Sequence, residues 1–210
     1  MKMKNQFLAF ILAVAPIASS SAQINLGAKG GVNVAKWIQP KGLAPGAIWS
    51  TITGASADAF INYELSEIFA IQFEAGFIQK GLHSTFSLAD TRLTINMVEF
   101  PISLRANLPL PLVEPYVLAG ISYGIVLQAR AKGTSFVTNQ PFDLDYKSSL
   151  RKDDITAQFA AGGEYCVAPT LSLLFEVRFS VGIRTIDTIP DATAKTWGVQ
   201  IQTGVVFNIP

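Results

Sequence analysis

Seven residues of "TLSLLFEVRFSVGI" (170–183) form an unbroken apolar row at every second position: Leu171, Leu173, Phe175, Val177, Phe179, Val181 and Ile183. Ser172, Glu176, Arg178, Ser180 and Gly182 fill most of the alternate row. Side chains with period two point to opposite faces of a strand, so one face is oily and the other carries full charges. The same alternation recurs in "INLGAKGGVNVA", "SADAFINYEL", "FAIQFEAGFIQK", "VEFPISLRANL", "PYVLAGISYGIVLQ", "ITAQFAAGGEYCV" and "TWGVQIQTGVVFNIP". That makes eight segments of about 10 to 14 residues, the length of a tilted membrane-spanning strand. After Gln23 no stretch approaches 18 consecutive apolar residues, which excludes a helical membrane protein.

The connections have a rhythm of their own. "SEI", "PLPLVE" and "APT" are short, whereas residues 36–52, 81–92, 129–153 and 184–195 read as long loops, and the two kinds strictly alternate. All tight turns therefore fall at one end of an up-and-down meander and all long loops at the other. An even strand number also leaves both termini at the short-turn end. This is the layout of an outer-membrane barrel with periplasmic turns and extracellular loops.

Two closed antiparallel barrels can use such strands, and they differ in which row points inward. Eight strands leave an interior just wide enough for side chains, and Phe73, Phe77, Phe159, Phe175, Phe179 and Phe207 would overfill it. The opposite row mixes Gly27, Gly31, Gly76, Gly120, Gly124, Gly162, Gly182 and Gly204 with long polar residues and suits a narrow lumen. Half of the chain is hydrophobic and only 15% is charged, which is low for a surface exposed to water. The expected fold is thus all-β, an eight-stranded antiparallel up-and-down transmembrane β-barrel with the apolar rows facing lipid. A soluble periplasmic barrel binding an apolar ligand requires the reverse assignment.

Charges in that lumen must be paired, because an isolated buried ion costs several kcal/mol. Lys29, Lys80, Arg105 and Arg178 stand against Asp58, Glu74, Glu99, Glu164 and Glu176 on the polar rows. They are expected to plug the barrel and hold its strands in register. Aromatic residues collect near strand ends, Tyr63, Phe69, Tyr165 and Phe207 toward the short turns and Trp37, Phe77 and Trp197 toward the loops. These read as two interfacial girdles.

Residues 1–22 read as a secretory signal peptide, with 23–210 as the barrel domain. Lys2 and Lys4 precede the apolar run Phe7 to Ile17, and Ser20 and Ala22 are the small residues of a cleavage site. Removing two lysines leaves 14 basic and 15 acidic residues, a net charge of −1. No basic patch able to displace counterions from phosphates appears, so nucleic acid is not an expected partner. The single cysteine, Cys166, excludes an internal disulfide framework.

The quoted segments "LGAKGGVNVA", "FEAGFIQKG", "VEFPISLRANL", "PYVLAGISYG" and "LSLLFEVRFSVGI" occur in order through the chain, which on them resembles the Bacteroidetes-type, PorT-like family of outer-membrane β-barrels. The resemblance implies an eight-stranded barrel inserted by the outer-membrane assembly machinery. Such a barrel meets outer-membrane lipids and lipopolysaccharide, and its long loops are open to an extracellular or envelope protein partner.

An enzyme acting on lipid is the alternative. His83 is the only histidine, next to Ser84 and near Ser87, but a serine hydrolase also needs a carboxylate to orient the imidazole, and the sequence specifies none. One histidine and one cysteine far apart cannot build a zinc site. The carboxylates of "DLDYK" and "RKDD" lack calcium-loop spacing. No metal or cofactor is expected. The loop of residues 129–153, with both charge signs and Phe136, Phe142 and Tyr146, and the first long loop "KWIQPKGLAPGAIWS", with two tryptophans and two prolines, are the candidate binding surfaces.

Overall fold

A computed structural model describes residues 23–41, 48–86, 89–186 and 193–209. The segment read as a signal peptide lies outside these residues. Ten strands follow in chain order: β1 (Ile24–Lys41), β2 (Ile48–Ser50), β3 (Ile52–Glu64), β4 (Phe69–Phe86), β5 (Ala89–Asn107), β6 (Val113–Ser135), β7 (Pro141–Asp145), β8 (Asp153–Ala168), β9 (Leu171–Gly182) and β10 (Thr193–Ile209). Eight of them close a ring in the order β1, β3, β4, β5, β6, β8, β9, β10, with β10 returning to β1. Every neighbouring pair in the ring is antiparallel, so the ring has no open edge. Short β2 extends the edge of β4, and β7 pairs with the upper part of β6. Among the described residues no helix is long and apolar enough to cross a membrane.

The alternation resolves in favour of apolar residues outside. Phe73, Phe159, Phe175, Phe179 and Phe207 are 44–57% exposed, whereas Glu176 and Arg178 are at most 1% exposed. On β5 the outward row runs from Leu108 just past the strand through Leu104, Ile102 and Phe100 to Val98. Ten residues rise about 33 Å along the strand, and a tilt near 40° reduces this to about 25 Å of height, the thickness of an apolar barrel belt.

The interior is filled by pairing glycine with bulk across adjacent strands. Gly27 is the register partner of Phe60, and a Cβ on Gly27 would run into the Phe60 ring. Gly162 faces Tyr116 in the same way, with the phenol 2.5 Å from where a Cβ would stand. These inward glycines mark places where a neighbour's large side chain crosses the lumen.

Three of the four connections read as long loops are largely β-structure. β1 continues to Lys41, β4 to Phe86 with β5 resuming at Ala89, and β6 to Ser135 with β7 following as a hairpin. The reason is an inversion of polarity. Toward the loop end the inward row becomes apolar, with Trp37, Ile78, Leu82, Leu93, Ile95, Met97, Val126, Leu150 and Ile186 forming a buried cluster, while Arg92, Thr94, Asn96, Gln128 and Arg130 line the outer wall. Above the membrane the outer face meets water, so the barrel takes the pattern of a soluble one.

A β-bulge carries part of this change. Asn96 pairs with Gln128 and Met97 with Val126, leaving Leu127 as the extra residue. Leu127 and Gln128 are both exposed, and the parity of β6 flips at that point. On β4, Gly81 has φ +151°, and its missing Cβ lets the Leu93 carbonyl approach.

Candidate functional site: a charge network inside the barrel

At mid-height three strands place two cations and two carboxylates in one cluster. Lys29 Nζ lies 3.0 Å from Glu74 Oε2 and 2.9 Å from Glu176 Oε1. Arg178 Nη2 lies 2.6 Å from Glu74 Oε1 and 2.8 Å from Glu176 Oε1. Their inward direction follows from period two: each shares its strand's face with inward glycines or small polar residues, opposite the lipid-facing row. The charges balance two against two, and polar neighbours take up part of the remaining bonding capacity. The Tyr116 hydroxyl donates to Glu176 Oε2 at 2.9 Å, Gln72 donates to Glu74 at 2.9 Å, and Arg178 Nη1 donates to Gln158 at 2.9 Å. Asp58 borders the cluster and accepts from Gln202, which also donates to Ser56 at 3.2 Å.

Two smaller groups lie above and below. Toward the loops, Lys80 is 2.5 Å from Glu99 and 3.8 Å from Asp154, and Asp154 accepts from the Thr196 hydroxyl at 3.2 Å. Toward the short turns, Arg105 Nη2 is 2.6 Å from Glu164, its Nε donates to Asn107, and its guanidinium lies 3.7 Å from the Tyr116 ring centre. Tyr116 thus links the lower and central groups through its face and its hydroxyl.

The charged residues of the polar rows, Lys29, Asp58, Glu74, Lys80, Glu99, Arg105, Glu164, Glu176 and Arg178, all lie on the inner side of the wall. Asp154, Tyr116, Gln158 and Gln202 are further members of the network. Asp154 stands in "RKDD", read as loop but in fact the start of β8.

The outward aromatics are Tyr63, Phe69, Tyr165 and Phe207 at the short-turn end, and Phe77 and Trp197 toward the loops. Trp197 packs against Phe179 with ring centres 6.3 Å apart. Trp37 is a correction: it is 3% exposed and belongs to the inner apolar cluster. It shares its parity with Lys29, Asn33 and Ala35, the inward row of β1, so its large indole caps the lumen and does not reach lipid.

His83 finds a carboxylate after all. Its Nε2 is 2.7 Å from Asp90 Oδ1 across the β4–β5 ladder, with both side chains more than a third exposed. Ser84, its chain neighbour, points to the opposite face, so it is not placed to give its proton to the imidazole. Ser87 lies outside the described residues. Among the described residues no group of three potential ligands is able to hold a metal.

The outer membrane protein beta-barrel domain family matches residues 17–188. A search of curated proteins finds no match. Among solved structures, the chain is similar to Neisserial surface protein A, with 16% identity, coverage of 90% of this chain and 100% of that one, and a TM-score of 0.53. It is similar also to the outer membrane protein OprG from Pseudomonas aeruginosa, with 13% identity, coverage of 88% and 95%, and a TM-score of 0.55. A major outer membrane protein from Thermus thermophilus gives 11% identity, coverage of 90% and 100%, and a TM-score of 0.56. These likenesses concern the fold alone.

Proposed function

The chain belongs to the family of outer membrane protein beta-barrel domains, and from that premise we propose that it is a non-enzymatic integral barrel, exported by its signal peptide, that is sealed through its lumen and works through its outer surfaces. The observation that carries this reading is the central cluster. Lys29, Glu74 and Glu176 have side chains with no solvent exposure and Arg178 has 2%, so the cluster is closed to water. A selective pore needs a continuous aqueous path lined by its charges. Here the charges are spent on one another, which suits a plug that holds strand register. The loop-end hairpin β6–β7 and its neighbours are left as the surfaces for lipid or an envelope partner. The narrower PorT-like assignment is part of the same proposal and rests on the ordered motifs from "LGAKGGVNVA" to "LSLLFEVRFSVGI".

Planar-bilayer recording of the reconstituted barrel tests it. No unitary conductance steps are expected. Regular, ion-selective steps from the unmodified protein would show an open path and overturn the sealed-lumen reading.

A further inference from the structure

Directly above the apolar belt, the outer wall of β4, β5 and β6 changes character within one row of residues. The outward row Phe77, Val98 and Ile125 is apolar. The next is an amide ladder, in which Gln79 donates to Asn96 at 3.1 Å and Asn96 donates to Gln128 at 3.3 Å. One step higher come Thr94 and Arg130, and then Arg92 and Lys132, each pair in register across β5 and β6. Together these residues line a groove of about 300 Å³ on the barrel's outside.

The lining of the groove holds three cations and no carboxylate, and Asp90, Asp143 and Asp145 stand at its border. Asp143 on β7 lies 3.2 Å from Arg130 and 3.3 Å from Lys132, which are 49% and 62% exposed. One carboxylate thus serves two cations. Arg92 donates to the Thr53 carbonyl at 3.1 Å, which anchors the guanidinium without neutralising it. Elsewhere on the wall, Lys36 pairs in register with Trp197, and Lys195 pairs with Ile38 one step nearer the loops. The opposite mouth is acidic, lined by Glu64, Glu67 and Glu114.

We propose that this groove docks the phosphorylated sugar headgroup of lipopolysaccharide. Guanidinium and ammonium groups fit phosphate oxygens, and the amide ladder beneath offers donors and acceptors to sugar hydroxyls. The continuity of the groove with the belt places it where a headgroup sits when its acyl chains lie against Phe77, Val98 and Ile125. A basic rim at the loop end and an acidic mouth at the turn end also match an anionic outer leaflet. The inference rests on the outer-membrane reading given above.

The test uses the folded barrel in neutral detergent, titrated with bis-phosphorylated lipid A, dephosphorylated lipid A and inorganic phosphate. The combined variant Arg92→Gln, Arg130→Gln and Lys132→Gln is expected to weaken binding of the phosphorylated lipid about tenfold or more, at roughly one factor of five per charge at a membrane surface. Arg184→Gln, which removes a rim cation paired with Asp153 at 2.7 Å, is expected to leave affinity within about twofold. Dephosphorylated lipid A is expected to bind more weakly than the phosphorylated form, and inorganic phosphate at the same concentration not to displace it. An unchanged affinity in the combined variant, equal binding of the dephosphorylated lipid, or displacement by inorganic phosphate would each overturn the proposal. A heat-dependent gel shift retained by the variants shows that the barrel is intact, so loss of lipid binding is separated from failure of the membrane-barrel reading.

Discussion

Glu176→Ala is expected to lower the barrel's unfolding free energy by about 3–5 kcal/mol, the cost of removing one partner from a buried ion pair. Its carboxylate holds Lys29 at 2.9 Å, Arg178 at 2.8 Å and the Tyr116 hydroxyl at 2.9 Å. Without it two buried cations share Glu74 alone and a buried phenol loses its acceptor. The effect is read from the urea midpoint of the barrel in detergent, with the heat-dependent gel shift reporting the folded fraction. Combining Glu176→Gln with Lys29→Met restores a balance of one cation and one anion around Arg178 and Glu74, and should recover more than half of the loss. Comparison of the double variant with Glu176→Gln alone isolates charge balance from simple loss of volume. An alanine variant that unfolds at the wild-type urea concentration would mean that the network contributes nothing to the fold.

The second large effect lies on the other face. Phe159, 57% exposed, is in register with Phe179 and Ala119 near the middle of the belt. Phe159→Arg puts a guanidinium into hydrocarbon, at a cost of about 2–4 kcal/mol near the midplane. Phe136 is similarly exposed, at 52%, but sits in the turn between β6 and β7 above the belt, and Phe136→Arg should cost less than about 1 kcal/mol. Equal costs at the two positions, measured by urea titration of the barrel in lipid vesicles, would contradict the placement of the apolar row against lipid.

Period two made the membrane-spanning half of this barrel readable from residues alone. Lys29, Glu74, Glu176 and Arg178 share their strand faces with glycines or small polar residues and lie opposite phenylalanine, leucine and valine, so their inward direction needed no coordinates. The loop-end half was hidden for a physical reason. Its strands keep the same backbone period but exchange their chemistry, because the outer face there meets water and the inner face packs dry. "LTIN" on β5 thus buries Leu93 and Ile95 and turns Thr94 and Asn96 outward, whereas "ISLR" on the same strand exposes Ile102 and Leu104 and buries Ser103 and Arg105. The bulge at Leu127 then shifts β6 by one residue and hides the continuation behind a broken alternation.

Trp37 shows the two kinds of information in conflict. Its chemistry points to an interfacial girdle, but its parity matches Lys29, and the backbone period decides. Asp154 and Tyr116 illustrate another limit. Which side chains touch across the lumen depends on the stagger of the closed ring, a long-range quantity that alternation within one strand does not encode.

The barrel is a closed ring of hydrogen-bonded strands with an apolar outer belt and paired charges inside. Such rings resist detergent until heated, because each backbone bond in the wall is satisfied within the wall. The most direct measurement is gel mobility of the protein from the outer-membrane fraction, with and without boiling in detergent. A band that shifts on boiling, recovered in that fraction, is the predicted result. Recovery in the soluble periplasmic fraction with no shift would contradict it, since the phenylalanine rows would then have to face inward.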